Sequence, residues 1–221
     1  LNKVFNFTKK TKKKKFKLVY CPPTTLIYPL ANILKKTTIV VGAQNCHENE
    51  NYGAYTGHIN SKMLKNVGAK YVILGHSENR KLGDNDKLVN SKISAATKSG
   101  LKVIFCIGET LNEKRKKITK RILARQINRG LNRIKNRKNI LIAYEPIWAI
   151  GSGLIPKESD LTEIIDYIKN KAKGSKALYG GSVNPKNIKS LKHINNIDGF
   201  LIGGASQSSN NLIDIIKKIY N

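Results

Sequence analysis

The chain has 221 residues, 41 of them basic and 14 acidic, for a formal net charge of +27; it can hold one substantial core or two small ones. Its three cysteines, Cys21, Cys46 and Cys106, are odd in number and far apart, which argues against a disulfide framework or a Cys-x-x-Cys metal site and fits a reducing cytoplasm. No apolar run approaches the roughly 20 residues that span a bilayer, and the basic residues are spread over most of the chain, which points to a compositional bias rather than to nucleic acid as a partner.

Residues 1–15 read as the end of an amphipathic helix followed by a solvated turn at Lys12–Lys15. From Phe16 the chain takes on a rhythm of short apolar runs closed by stop signals. Lys17-Leu-Val-Tyr-Cys21 is a strand halted by Pro22-Pro23. Further strands begin at Thr38, Tyr71, Val103, Ile140, Ala177 and Gly199, and most of them end in glycine. Helical patterns lie between and after them, over 24–36, 60–68, 85–99, 112–136, 158–172, 185–192 and 205–220. Strands alternating with helices mean crossover units and a parallel sheet covered on both faces, an α/β fold. No linker divides the chain, so a single domain over 1–221 is expected.

Five stretches along this order stand out. After the second strand, Gly42-Ala-Gln-Asn-Cys-His opens a long loop, which needs something to order it. After the third, Gly75-His-Ser-Glu-Asn-Arg80 places His76 at a strand's carboxyl end and a helix start. The positive end of a helix favours a neutral ring there, able to offer an N–H to a carbonyl. After the fifth, Glu145 ends the strand, Pro146 stops the ladder, and Trp148-Ala-Ile-Gly-Ser-Gly reads as a loop between stiff ends, with a large apolar side chain near its tip. A carboxylate beside a movable apolar lid is how a general base is made. Tyr179-Gly-Gly-Ser-Val and Ile202-Gly-Gly-Ala-Ser end the last two strands, and amides exposed at helix starts bind phosphate. The 112–136 helix has one apolar face at Ile118, Ile122, Ile127, Leu131 and Ile134. Arg121, Arg125, Arg129, Arg133 and Arg137 form a stripe on it, which reads as a solvated face.

The string from Ala143 to Pro156 resembles the base-plus-lid signature of the triosephosphate isomerase family, with Ser152 where that family usually has Thr. Leu74-Gly-His-Ser-Glu78 resembles its electrophile motif. The resemblance runs over about residues 16–221 and implies a (β/α)8 TIM barrel, seven of whose eight strands are visible in this chain. It implies interconversion of dihydroxyacetone phosphate and D-glyceraldehyde 3-phosphate, with no cofactor and no metal. Glu145 would then be the base and His76 the electrophile, with Gly151, Ser182, Gly203 and Gly204 as the phosphate grip. Glu78 matches the glutamate that pairs with the family's catalytic lysine. The 44–59 loop, with Thr56 and Gly57 at its tip, matches the segment that enters the partner subunit of a homodimer. His58 and Asn79 stand where the family usually has the Glu and Arg of an ion pair across that interface, so both partners are replaced together.

The family opens with a strand ending in Asn-x-Lys, and nothing upstream of Lys17 matches it. No lysine is carried over, and the expectation is that the gene encodes roughly 25–35 further upstream residues, about one strand and one helix. The unmatched lysine and the +27 charge favour a second reading, a non-catalytic basic barrel that binds nucleic acid or a protein partner. Glu145, His76 and both glycine turns favour the isomerase.

Overall fold

A computed structural model of the chain describes residues 2–10 and 16–220; the Lys12–Lys15 run lies outside them. All seven expected strands form: β1 (Val19–Tyr20), β2 (Val40–Ala43), β3 (Tyr71–Leu74), β4 (Lys102–Ile107), β5 (Ile140–Tyr144), β6 (Lys176–Tyr179) and β7 (Gly199–Phe200). They follow one another in chain order in a seven-stranded sheet. The helices are α1 (Asn2–Lys10), α2 (Ile27–Leu34), α3 (Ser61–Asn66), α4 (Ser77–Lys81), α5 (Asp86–Lys98), α6 (Leu111–Arg115), α7 (Thr119–Gly130), α8 (Glu158–Lys171), α9 (Ile188–Leu191) and α10 (Ser209–Tyr220). Among the described residues no helix is long and apolar enough to cross a membrane.

The chain forms two compact units. One comprises Phe16–Cys106 with Gln126–Leu141; the other comprises Leu1–Lys15, Ile107–Arg125 and Ile142–Asn221. In the first, β1 to β4 pair in parallel, the longest register running from Tyr71↔Lys102 to Leu74↔Phe105. β3 is buried at every position and β4 at all but its first, so both read as continuous apolar runs rather than as an alternation. Asn60 and Asn85 cap α3 and α5 by accepting the N–H groups of Met63 and Leu88. α5 buries Val89, Ile93 and Ala96, and α3 buries Leu64. Gly130, the last residue of α7, lies so close to Phe105 that a β-carbon on it would meet the ring at 2.3 Å.

In the second unit, β6 and β7 pair in parallel at Leu178↔Gly199 and Tyr179↔Phe200. The β6–β7 ladder continues through Leu201 N–H to Tyr179 O (2.9 Å), and Gly180 N–H donates to Tyr144 O at the end of β5 (2.8 Å). α8 buries Leu161, Ile165 and Ile168 on one face, with Glu158 and Asp160 in its first turn and Lys169 and Lys171 in its last, a charge order that complements the helix dipole. α1 packs on α10, which buries Leu212, Ile215 and Ile216.

The helix expected over 112–136 is two helices. Lys117 has φ +57, and the Ile118 N–H donates back to Glu113 O (3.1 Å), a left-handed helix stop made by a non-glycine residue. α7 then ends at Gly130, and Arg133 is also left-handed at φ +58. The arginine stripe is therefore shorter than expected: Arg121, Arg125 and Arg129 lie on α7, whereas Arg133 and Arg137 lie beyond it.

Candidate active site

Glu145 follows β5 directly. Its N–H donates to Ile107 O at 2.7 Å, extending the β4–β5 ladder by one residue, and only 3% of it is exposed. Two glycines make room for it. A β-carbon on Gly108 would stand 1.8 Å from the Glu145 carbonyl oxygen, and one on Gly180 would stand 2.9 Å from Cγ and 3.4 Å from Oε1. The backbone and the carboxylate are thus each held by a close approach that only glycine permits.

Beyond Pro146 the chain makes one 3-10 turn, Ile147–Ala149, and then a loop that turns through Gly151 (φ +68) and Gly153 (φ +78). Residues 151–155 are exposed. Trp148 is not near the tip, as the composition suggested. It sits at the base, where its Nε1–H donates to Glu109 Oε1 at 2.8 Å; the exposed apolar groups of the loop are Leu154 and Ile155.

Glu109 is the residue that sequence reading missed. It is 1% exposed and stands one residue past Gly108 at the end of β4. Its carboxylate accepts from Trp148 and from the Tyr144 hydroxyl (3.2 Å to each oxygen), and its carbonyl accepts the Ile147 N–H at 3.0 Å. Burial raises its proton affinity, and the Trp148 bond is the largest effect opposing that. The available signal was the one that flagged Glu145: a carboxylate at the carboxyl end of a buried strand.

The glycine turns differ from expectation in one respect. Gly204 begins a 3-10 turn, Gly204–Gln207, just ahead of α10, and nothing would lie within 4 Å of a β-carbon on Gly203 or Gly204. Ser182, by contrast, precedes α9 by six residues. The intervening loop is braced by asparagines: Asn187 Nδ2 donates to Ser182 O (2.8 Å), and Asn187 Oδ1 accepts the Asn184 N–H (2.9 Å). Glu145, Gly151, Ser182, Gly203 and Gly204 all belong to the second unit.

His76, Glu78 and the 44–59 loop belong to the first unit. His76 is the N-cap of α4, and its Nδ1 accepts the Glu78 N–H at 3.3 Å. That bond leaves the ring proton on Nε2. Burial holds the pKa of His76 below its ordinary 6.5, and the Glu78 carboxylate, 3.8 Å from Nδ1 and largely exposed, pulls the other way. The neutral ring expected from sequence is thus favoured chiefly by desolvation.

In the 44–59 loop, Thr56 and Gly57 are exposed at the tip, and Gly57 has φ +80. The two replaced residues have partners inside this unit. Asn79 Oδ1 accepts from Asn45 Nδ2 at 3.1 Å, and the His58 ring packs on that of His47 with centroids 4.6 Å apart. Asn45 Oδ1 in turn accepts from Lys92 Nζ, which is buried on Asp84 at 2.7 and 2.8 Å. Cys21, Cys46 and Cys106 form no disulfide with one another, and burial pushes the Cys46 thiol up to about 12, which keeps it protonated at neutral pH.

Comparisons with known proteins point to one family. The family model described as triosephosphate isomerase matches residues 2–219. The triosephosphate isomerase of Thermodesulfovibrio yellowstonii is 44% identical over 205 residues, which are 89% of this chain and 83% of that protein. That of Carboxydothermus hydrogenoformans is 42% identical over 209 residues, with 89% and 83% covered. The crystal structure of triosephosphate isomerase from Bartonella henselae superposes with a TM-score of 0.88 at 33% identity, covering all of this chain and 91% of that one.

Proposed function

The chain belongs to the triosephosphate isomerase family, and from that premise we propose that it interconverts dihydroxyacetone phosphate and D-glyceraldehyde 3-phosphate with Glu145 as the base and His76 as the electrophile. Glu145 takes the proton from one carbon and returns it to its neighbour, while the hydroxyl proton passes from one oxygen to the other through the enediolate. His76 offers Nε2–H to the carbonyl oxygen as a neutral donor and so stabilises the enediolate. The amides of Gly151, Gly203 and Gly204, with Ser182, hold the phosphate while the 150–155 loop closes over it and excludes water.

The observation that carries this reading is Glu145 itself: a carboxylate buried to 3% at a strand end, seated against Gly180. Two features support His76 as its counterpart: Nδ1 is occupied by the Glu78 N–H, and burial disfavours the imidazolium. The exposed 44–59 loop, in which Tyr52 is 63% exposed and Thr56 and Gly57 are also exposed, supports a homodimer formed through it. A cytoplasmic location follows from the same reading.

Glu145→Gln tests the assignment. It should remove most turnover, about 10²–10⁴-fold, while binding of phosphoglycolate, an analogue of the enediolate, survives. Near-normal turnover by this variant would overturn it.

A further inference from the structure

Trp148 is gripped from a second side. Thr110, the N-cap of α6, follows Glu109 directly, and the helix is locked by a capping box: Glu113 Oε2 accepts the Thr110 N–H (2.8 Å) and hydroxyl (2.9 Å), and Thr110 Oγ1 accepts the Glu113 N–H (3.3 Å). This fixed turn carries Lys114, whose Nζ lies 3.4 Å from the centroid of the Trp148 ring. A cation over an indole face is attracted by the ring quadrupole, most strongly where water is excluded. The base of the 147–155 segment therefore has three ties. The Ile147 N–H is on Glu109 O, the indole N–H is on Glu109 Oε1, and the ammonium is on the indole face.

We propose that Lys114 is a positioning residue for the lid: its ammonium clamps Trp148 onto Glu109, holds the base of the 147–155 segment in place, and so sets how often the lid seats correctly for turnover. Lys114 touches no substrate in this account and acts only through Trp148. Its charge has a second effect in the same direction, because it favours the ionised Glu109 that accepts the indole proton. The proposal rests on reading 147–155 as the lid of the isomerase site.

The chain contains a single tryptophan, so its fluorescence reports the clamp directly in the ligand-free protein. Lys114→Met should make Trp148 measurably more accessible to acrylamide quenching and lower kcat by roughly 3- to 30-fold, the range a cation–π contact of this kind supports. Lys114→Arg, which keeps a cation over the ring, should restore both. In a Trp148→Leu background, Lys114→Met should cost nothing further in kcat. Unchanged quenching, unchanged kcat, or a kcat loss that persists in the Trp148→Leu background would each overturn the proposal. Failure of the underlying reading shows elsewhere, as Glu145→Gln retaining turnover, and the quenching comparison decides the clamp even then.

Discussion

Gly180 has no side chain because Glu145 occupies the place of one: a β-carbon there would stand 2.9 Å from Cγ of Glu145. Gly180→Ala should push the carboxylate off its seat. A misplacement near 1 Å can cost about 10² in rate, so kcat should fall about that far, while phosphoglycolate binding changes only a few-fold. Overpacking of this kind costs about 1–3 kcal/mol. Steady-state kinetics and a denaturant melt on the same variant measure both effects; full activity would mean that Glu145 is not held by this contact.

The second prediction concerns protons. Burial lowers the pKa of His76 below 6.5 and the Glu78 carboxylate partly restores it. Glu78→Gln should therefore move the His76 titration further down, as followed by its ring resonances in NMR. The sign for stability follows from linkage. As pH falls through about 6.5 the unfolded chain takes up a proton at this position before the folded chain does. His76 thus contributes stability above that pH and loses it progressively below. An upward move on Glu78→Gln would contradict the assigned causes.

The third concerns the buried ion pair of the first unit. Lys92 and Asp84 have side chains only 7% and 9% exposed. Asp84→Ala strands the ammonium with Asn45 as its remaining described acceptor and should cost about 3–5 kcal/mol, whereas Asp84→Ala with Lys92→Met should cost clearly less than the single change. Urea unfolding of the three proteins gives the comparison; strict additivity would show that the pair is not coupled.

A fourth prediction tests the proposed interface. Thr56→Arg puts a cation on the exposed tip of the 44–59 loop, beside Gly57. It should shift sedimentation velocity toward monomer at a concentration where the parent chain is dimeric, with little change in the melt of the isolated subunit. A variant that stays dimeric would place the interface elsewhere.

The fifth concerns charge. If the +27 excess is compositional, binding to duplex DNA should be weak and disappear by roughly 0.2 M salt, as counterion release requires. Retention measured by fluorescence anisotropy at that salt would favour a nucleic-acid role for the basic surface.

Much of the fold was legible because each strand is a short apolar run with its own stop: Pro22 after β1, Pro146 after β5, Gly180 after β6. Glu145 was legible for the same reason. The break at Lys117 was not, because α6 and α7 are separated by only three residues and the apolar spacing carries across them; periodicity registers the shared face and not the left-handed residue between. Glu109 lies at the end of its strand as Glu145 does, but no proline stop or small-residue loop follows it to draw attention there. The position of Trp148 followed from it, since an indole N–H settles where a buried carboxylate is waiting to accept it. The asparagine brace behind Ser182 had no periodic signature at all.

Gly130 has a consequence for anyone trying to make this protein more heat-resistant. Replacing a helical glycine by alanine is a standard stabilising change, gaining roughly 0.4–1 kcal/mol where the backbone already suits alanine. A survey that scored only helix propensity would put Gly130 high on its list. Here the added methyl would land 2.3 Å from the ring of Phe105, which is wholly buried, so the substitution should reverse sign and lower the melting temperature. The end of α7 is thus seated one methyl group closer to the core than any other residue would allow.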